Sequence, residues 1–132
     1  MDTIVLDACA IIAFLRNENG ADKIESLLLN ERCTAHAINL CEVYKDCLFR
    51  GESVKIADQL LNDLYSIGII SCEDMDEEFW KHTAKLKAKI RQISYADCFA
   101  LALSIRAGGT LYTSDHHEFD KISDKYSIEF IR

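Results

Sequence analysis

Four acidic residues stand where the local pattern brings carboxylates to the ends of elements: Asp7, Glu42, Asp97 and Asp115. Asp7 closes a short β-branched run, Glu42 and Asp97 fall in the first turns of helical patterns, and Asp115 follows a strand-like run and opens a short helix. Each has a plain structural explanation. Asn39-x-x-Glu42, Ser94-x-x-Asp97 and Asp115-x-x-Glu118 have capping-box spacing, and Asp7 is placed to cap the helix after it. Capping does not account for the run after Asp97, Cys98-Phe99-Ala100-Leu101-Ala102-Leu103, which reads as a helix buried on both sides. A carboxylate there is costly unless a cation meets it, and no Lys or Arg lies close in sequence to do so. A divalent metal would satisfy several acids together, and ligation by oxygen alone points to Mg²⁺ or Mn²⁺ rather than zinc.

The elements that must carry these acids alternate. Thr3 to Leu6 reads as a strand and Ala8 to Leu15 as a buried helix; a turn over residues 16–20 leads to a helix marked by Ile24, Leu27 and Leu28. Cys33 to Ile38 is a further strand candidate, and from Asn39 the set Leu40, Val43, Tyr44, Cys47 and Leu48 marks a helix that Gly51 ends. Helical spacing over Ser53 to Ile67 gives way at Gly68 to the β-type run Ile69 to Cys72. A lysine-rich helix over Asp76 to Ile90 and the apolar helix Ser94 to Ala107 follow, then a strand over Thr110 to Thr113, a short helix around His117 to Ile122 and a last strand over Ser127 to Ile131. The rhythm predicts a three-layer α/β/α sandwich with a mostly parallel central sheet. In such a sheet ligands bind outside the carboxyl ends of the strands, so Asp7 and Asp115 face one crevice.

Composition narrows the rest. A chain of 132 residues that is 49% hydrophobic and 28% charged reads as one globular domain, 1–132, rather than a disordered or coiled-coil chain. Its longest stretches without a formal charge, such as Leu64 to Cys72, reach nine residues, against about 20 for a membrane span. Met1-Asp2-Thr3-Ile4 has no basic leader region, so a cytoplasmic location is expected. Six cysteines without C-x-x-C spacing, with Cys9, Cys41, Cys47 and Cys98 in apolar segments, read as reduced core thiols. A net charge of −7 argues against a broadly basic nucleic-acid surface, although an acidic metal site contributes negative charge itself.

In order along the chain, Val5 to Leu15, Asn39-Leu40-Cys41-Glu42-Val43, Ser94 to Ala102 and Leu111 to Phe119 resemble the sequence blocks of PIN-domain ribonucleases. By size the chain is most similar to the VapC-type toxins of prokaryotic toxin–antitoxin pairs. The resemblance spans essentially the whole chain. It implies metal-dependent cleavage of RNA leaving 5′-phosphate and 3′-hydroxyl ends, with Asp7, Glu42, Asp97 and Asp115 as catalytic metal ligands and Thr113 or Ser114 as polar support. It also implies an RNA substrate and a cognate antitoxin partner. One departure is visible, because Ala8 stands where the family more often has a hydroxyl residue.

Substrate contact needs positive charge. Lys81, Lys85 and Lys89 recur on one helix face, as a phosphate track or a plain solvated face. Arg16, Lys45 and the pair His116-His117 are weaker candidates near the acids. Phe14-Leu15 and Leu27 to Leu29 could receive a partner helix or form a homodimer, with core packing as the default. Two other classes remain: a PIN-like module that binds RNA or protein without cutting, and a phosphoryl-transfer domain built on Asp7. The second lacks the paired acid such a nucleophile needs, since Asp7 is followed by Ala8 and Cys9.

Overall fold

Short β-branched runs alternate with longer helical ones, and the computed structural model, which describes residues 3–132, follows that alternation. Met1 and Asp2, on which the leader reading partly rests, lie outside the described residues. The elements are β1 (Thr3–Leu6), α1 (Ala8–Leu15), α2 (Ala21–Asn30), β2 (Arg32–His36), α3 (Ala37–Phe49), α4 (Val54–Ser66) and β3 (Ile70–Cys72). They continue with α5 (Glu77–Lys89), α6 (Tyr95–Ala107), β4 (Thr110–Thr113), α7 (His116–Phe119), a 3-10 turn (Asp120–Ile122) and β5 (Ile128–Phe130).

All strand pairings are parallel, in the order β3-β2-β1-β4-β5. The chain steps outward from β1 to β3 and then returns through α5 and α6 to β4, on the other side of β1. The order therefore reverses between β1 and β4, and a crevice opens at their carboxyl ends. Side-chain alternation feeds two cores. Ile4 and Leu6 pack with Ile11, Ile24, Leu40 and Val43 under α1 to α4. Val5 and Leu111 pack with Phe79, Leu101 and Phe119 under α5 to α7. The result is the three-layer α/β/α sandwich with the sheet in the middle.

α6 is buried from Ala100 to Ser104 without a break, because the sheet, α3 and α5 surround it. Gly109 lets the chain leave α6 tightly, since a Cβ there would lie 2.2 Å from the Thr3 carbonyl oxygen. The apolar segments considered for docking divide. Phe14, Leu15, Leu27 and Leu28 are partly buried against the core, whereas Leu29 is exposed. All six cysteines are free; Cys33, Cys47 and Cys98 are buried, but Cys41 faces solvent.

The start of α3 differs from the sequence reading. β2 stops at His36 and the helix begins at Ala37, two residues before Asn39. His36 caps it: Nδ1 accepts from the Ile38 N–H at 3.1 Å, while Nε2, 2.8 Å from the Asp74 carbonyl, donates to it. The ring stacks on Phe79 and Phe99, so this histidine is a satisfied part of the core. Asn39 is therefore inside the helix and fully buried, not a cap. Its Oδ1 accepts from the Ala8 N–H at 3.1 Å and its Nδ2 donates to the Ala96 carbonyl at 3.2 Å. One side chain on α3 thus ties the first turns of α1 and α6.

Asn39→Ala removes both bonds and leaves buried partners unpaired, a change expected to cost about 2–4 kcal/mol. Urea denaturation followed by circular dichroism checks this; a loss below about 1 kcal/mol would refute the tie.

Candidate metal centre

The crevice between β1 and β4 becomes acidic because every segment ending there brings a carboxylate. A cleft of about 300 Å³ is lined by Glu42, Asp97, Asp115 and Glu118, together with Lys45 and Asp46. Asp97, Asp115 and Glu118 come closest, each offering an oxygen within 4.8 Å of the others. Among the described residues, this is the one group with that convergence. Asp7 and Glu42 stand outside it. Glu42 lines the cleft from α3, whereas Asp7 is fully buried, and its neighbours Ala8 and Cys9 reach the cleft instead.

Local structure aims these groups. Asp7 caps α1: its Oδ1 accepts from the Ala10 N–H at 2.9 Å and from the Cys9 thiol at 3.1 Å, leaving Oδ2 without a partner. Asp115 caps α7 in the same way, its Oδ1 accepting from the Glu118 N–H at 3.0 Å. At α6 the cap is Ser94, whose hydroxyl accepts from the Asp97 N–H at 3.2 Å. Thr113 is buried between Asp7 and Asp115; its Oγ1 accepts from the Asp115 N–H at 3.0 Å and lies 3.3 Å from the Cys9 sulfur. Ser114 adds its own N–H, directed at the Cys9 sulfur at 3.4 Å.

Glu118 is the member that the sequence reading passed over as half of a capping box. Residues 115 and 118 sit one turn apart, and the glutamate comes round beside Asp115. Its Oε2 is buried without a hydrogen-bond partner. The spacing was the available signal.

Electrostatics follow from burial first and crowding second. Asp97 is pushed up to about 8, first by burial and then by Asp7, Glu118, Asp115 and Glu42. Asp7 is raised to about 6 by burial, against the neighbouring Thr113 hydroxyl, Cys9 thiol and Ala10 N–H, which lower it. Glu42 is raised by burial, which Lys45 partly offsets. Asp46 is taken by Arg16 and by Arg50, the latter at 3.3 Å. His116 is committed elsewhere: it pairs with Asp120 at 2.7 Å, bonds the Arg132 carbonyl and stacks on Phe130. Two buried carboxylate oxygens without partners and three converging acids, with oxygen donors throughout, fit a hard divalent cation.

The PIN domain family model matches residues 4–125. No curated protein matches the chain. Among solved structures, a chain of the DNA-bound VapBC complex from Salmonella typhimurium is similar over the full length of both chains, with a TM-score of 0.75 and 15% identity. VapBC-1 from nontypeable Haemophilus influenzae is 21% identical over 98% of each chain, with a TM-score of 0.72. A toxin–antitoxin complex from Klebsiella pneumoniae is 14% identical over 98% of each, with a TM-score of 0.73. At these identities the likeness is one of fold. Among the described residues, no helix is long and apolar enough to cross a membrane.

The raised acids set a pH dependence. Asp97 at about 8 and Asp7 at about 6 hold protons that an unfolded chain, with aspartates near 3.8, releases. The folded state thus binds more protons between pH 4 and 8, so stability falls as pH rises through that window. In chelator, the melting temperature should rise by several degrees from pH 8 to pH 5, and Asp97→Asn should flatten most of the rise. Asp76, held near 2 by Arg106, acts oppositely but only at lower pH. A wild-type melting temperature that falls from pH 8 to 5 would contradict this electrostatic account.

Proposed function

The chain belongs to the PIN domain family, and from that premise we propose that it is a metal-dependent endoribonuclease, the toxin of a toxin–antitoxin pair. The observation that carries the reading is the acidic cleft in which Asp97, Asp115 and Glu118 converge, with an unpartnered carboxylate oxygen on Glu118 and another on Asp7 buried behind it. Asp97, Asp115 and Glu118 would hold Mg²⁺ or Mn²⁺, with Asp7 behind them and Glu42 adding charge to the wall. When bound, the ion supplies activation of a water for in-line attack on a phosphodiester and neutralises charge on the phosphoryl and leaving oxygens.

The protein's own residues prepare the site. Ser94 and Asp115 fix the first turns of α6 and α7, so Asp97 and Glu118 approach one point. Asp97, pushed up to about 8 by burial and its acidic neighbours, would give up its proton to a bound cation, so metal binding would release protons. Lys45, exposed on the cleft wall, is placed to meet a phosphate, its Nζ 5.7 Å from the centre of the Phe49 ring. Likeness to chains of VapBC and other toxin–antitoxin complexes supports a protein antitoxin as partner.

Incubating the pure protein with pooled cellular RNAs, with and without Mn²⁺, and mapping cut ends tests the activity. Asp97→Asn should lower cleavage about 100-fold or more, and Asp7→Asn, behind the ligands, about 10- to 100-fold, both with unchanged circular dichroism. Both changes keep a good helix-capping or first-turn residue, so mere capping predicts little loss. Mn²⁺ should raise the wild-type melting temperature and raise that of either variant less. RNA binding without cutting would leave the non-cleaving module instead.

A further inference from the structure

We propose that a lysine-lined cleft between the end of α5 and the turn after α7 seats the RNA backbone beyond the bond that is cut. The inference rests on the ribonuclease reading above and extends it to the path of the substrate. Lys89, Lys121 and Lys125 converge with Gln92 and Tyr126 on a cavity of about 220 Å³, whose floor is formed by the buried Ile90 and Ile122. On a chain of net charge −7, three lysines from two separate segments in one cleft are a local reversal of sign.

No ion pair among the described residues holds these lysines. The pairs engage Arg16, Arg50, Lys81, Arg106, His116 and Arg132 instead. Asp120, beside Lys121, is occupied by His116. The helical stripe divides accordingly: Lys81 pairs with Glu77 at 3.4 Å, whereas Lys89, two turns on, leaves the stripe for the cleft. Lys87 is structural, donating to the carbonyls of Arg91 at 3.1 Å and Ile93 at 2.6 Å and so bracing the loop that carries Gln92.

Position selects the occupant. The acidic cleft and the lysine cleft are bounded by the same two segments: residues 90–97, with Gln92 on one side and Ser94 and Asp97 on the other, and residues 115–122, with Asp115 and Glu118 leading into Lys121. An acidic peptide continuing from the lysines would run into those carboxylates. A nucleic acid carries a phosphate at every step, so one phosphodiester meets the lysines while another reaches the metal centre. Tyr126, half-buried, adds an aromatic wall of the kind on which bases stack.

The triple variant Lys89→Gln, Lys121→Gln, Lys125→Gln tests this in steady-state cleavage with millimolar Mn²⁺, on an RNA of about 15 nucleotides around a mapped cut site. Each phosphate contact contributes about 0.7 to the salt slope on a single strand, so the slope of log KM against log salt should fall by about 2, with KM up about tenfold or more at low salt. The kcat and the rise in melting temperature with Mn²⁺ should match the wild type, which a damaged centre would not allow. Wild-type KM and slope in the variant would overturn the cleft and leave the ribonuclease reading standing. A wild type that neither binds nor cuts RNA would overturn both. Acetylation footprinting separates a protein ligand: RNA should protect the three lysines, and protection by polyglutamate alone would overturn the proposal.

Discussion

Burying several carboxylates together at the carboxyl ends of β1 and β4 is the constraint that the rest of the molecule answers: loss of water displaces Asp97 and Asp7 most, and mutual repulsion adds to it. Each unit of displaced pKa corresponds to about 1.4 kcal/mol, and Asp97 and Asp7 are both displaced upward. Such a cluster disperses unless rigid elements hold it. Here the holding groups are backbone N–H groups at helix starts, which take one oxygen of Asp7 and one of Asp115. For Asp7 the other oxygen stays unpaired. Capping and ligation are therefore complementary uses of one residue, because a carboxylate has two oxygens and the cap takes one.

The elements are held together by a few polar groups buried in a mostly apolar interior. Asn39 joins α3 to the starts of α1 and α6, the helices that follow Asp7 and carry Asp97. His36 closes the other end of the same problem: it caps α3, reaches the segment after β3 and stacks between Phe79 and Phe99. An apolar residue at either position would leave N–H or C=O groups at a helix end unsatisfied, and those groups are near the centre. The apolar layers supply most of the stabilisation, while these side chains fix where the helix starts lie relative to one another.

The layer order was legible because it depends on local period. β-branched runs of four residues, and helices long enough to span the sheet, announce themselves in the alternation of residues 3–15 and 94–113. Asp97 stands out for a related reason, since its capping-box spacing does not explain a carboxylate at the head of the buried run Cys98 to Leu103, and it is one of the three acids that converge. Glu118 was not, because capping-box spacing and convergence on a shared ligand are the same i, i+3 pattern until the partner elements are in place. Asn39 was misassigned as a cap for the same reason: its partners, Ala8 and Ala96, are 31 and 57 residues away, and no periodicity encodes them. The lysine cleft joins α5 to residues after α7, so helical spacing drew attention to Lys81 when the relevant neighbours of Lys89 were Lys121 and Lys125.

The departure at Ala8 looks different once its surroundings are known. A hydroxyl at position 8 would be one way to donate to the acidic centre, but the donors to Asp7 come from other residues: the Ala10 N–H and the Cys9 thiol. Cys9 suits that task because its environment keeps it protonated; burial and the charge of Asp7 push its thiol up to about 12. A thiolate there would add another anion to a cluster already short of positive charge. The same displacement makes the sulfur a poor nucleophile, since reactivity requires the thiolate. Cys9 therefore behaves as a weak hydroxyl toward Asp7, while the backbone N–H of Ala8 is taken by Asn39.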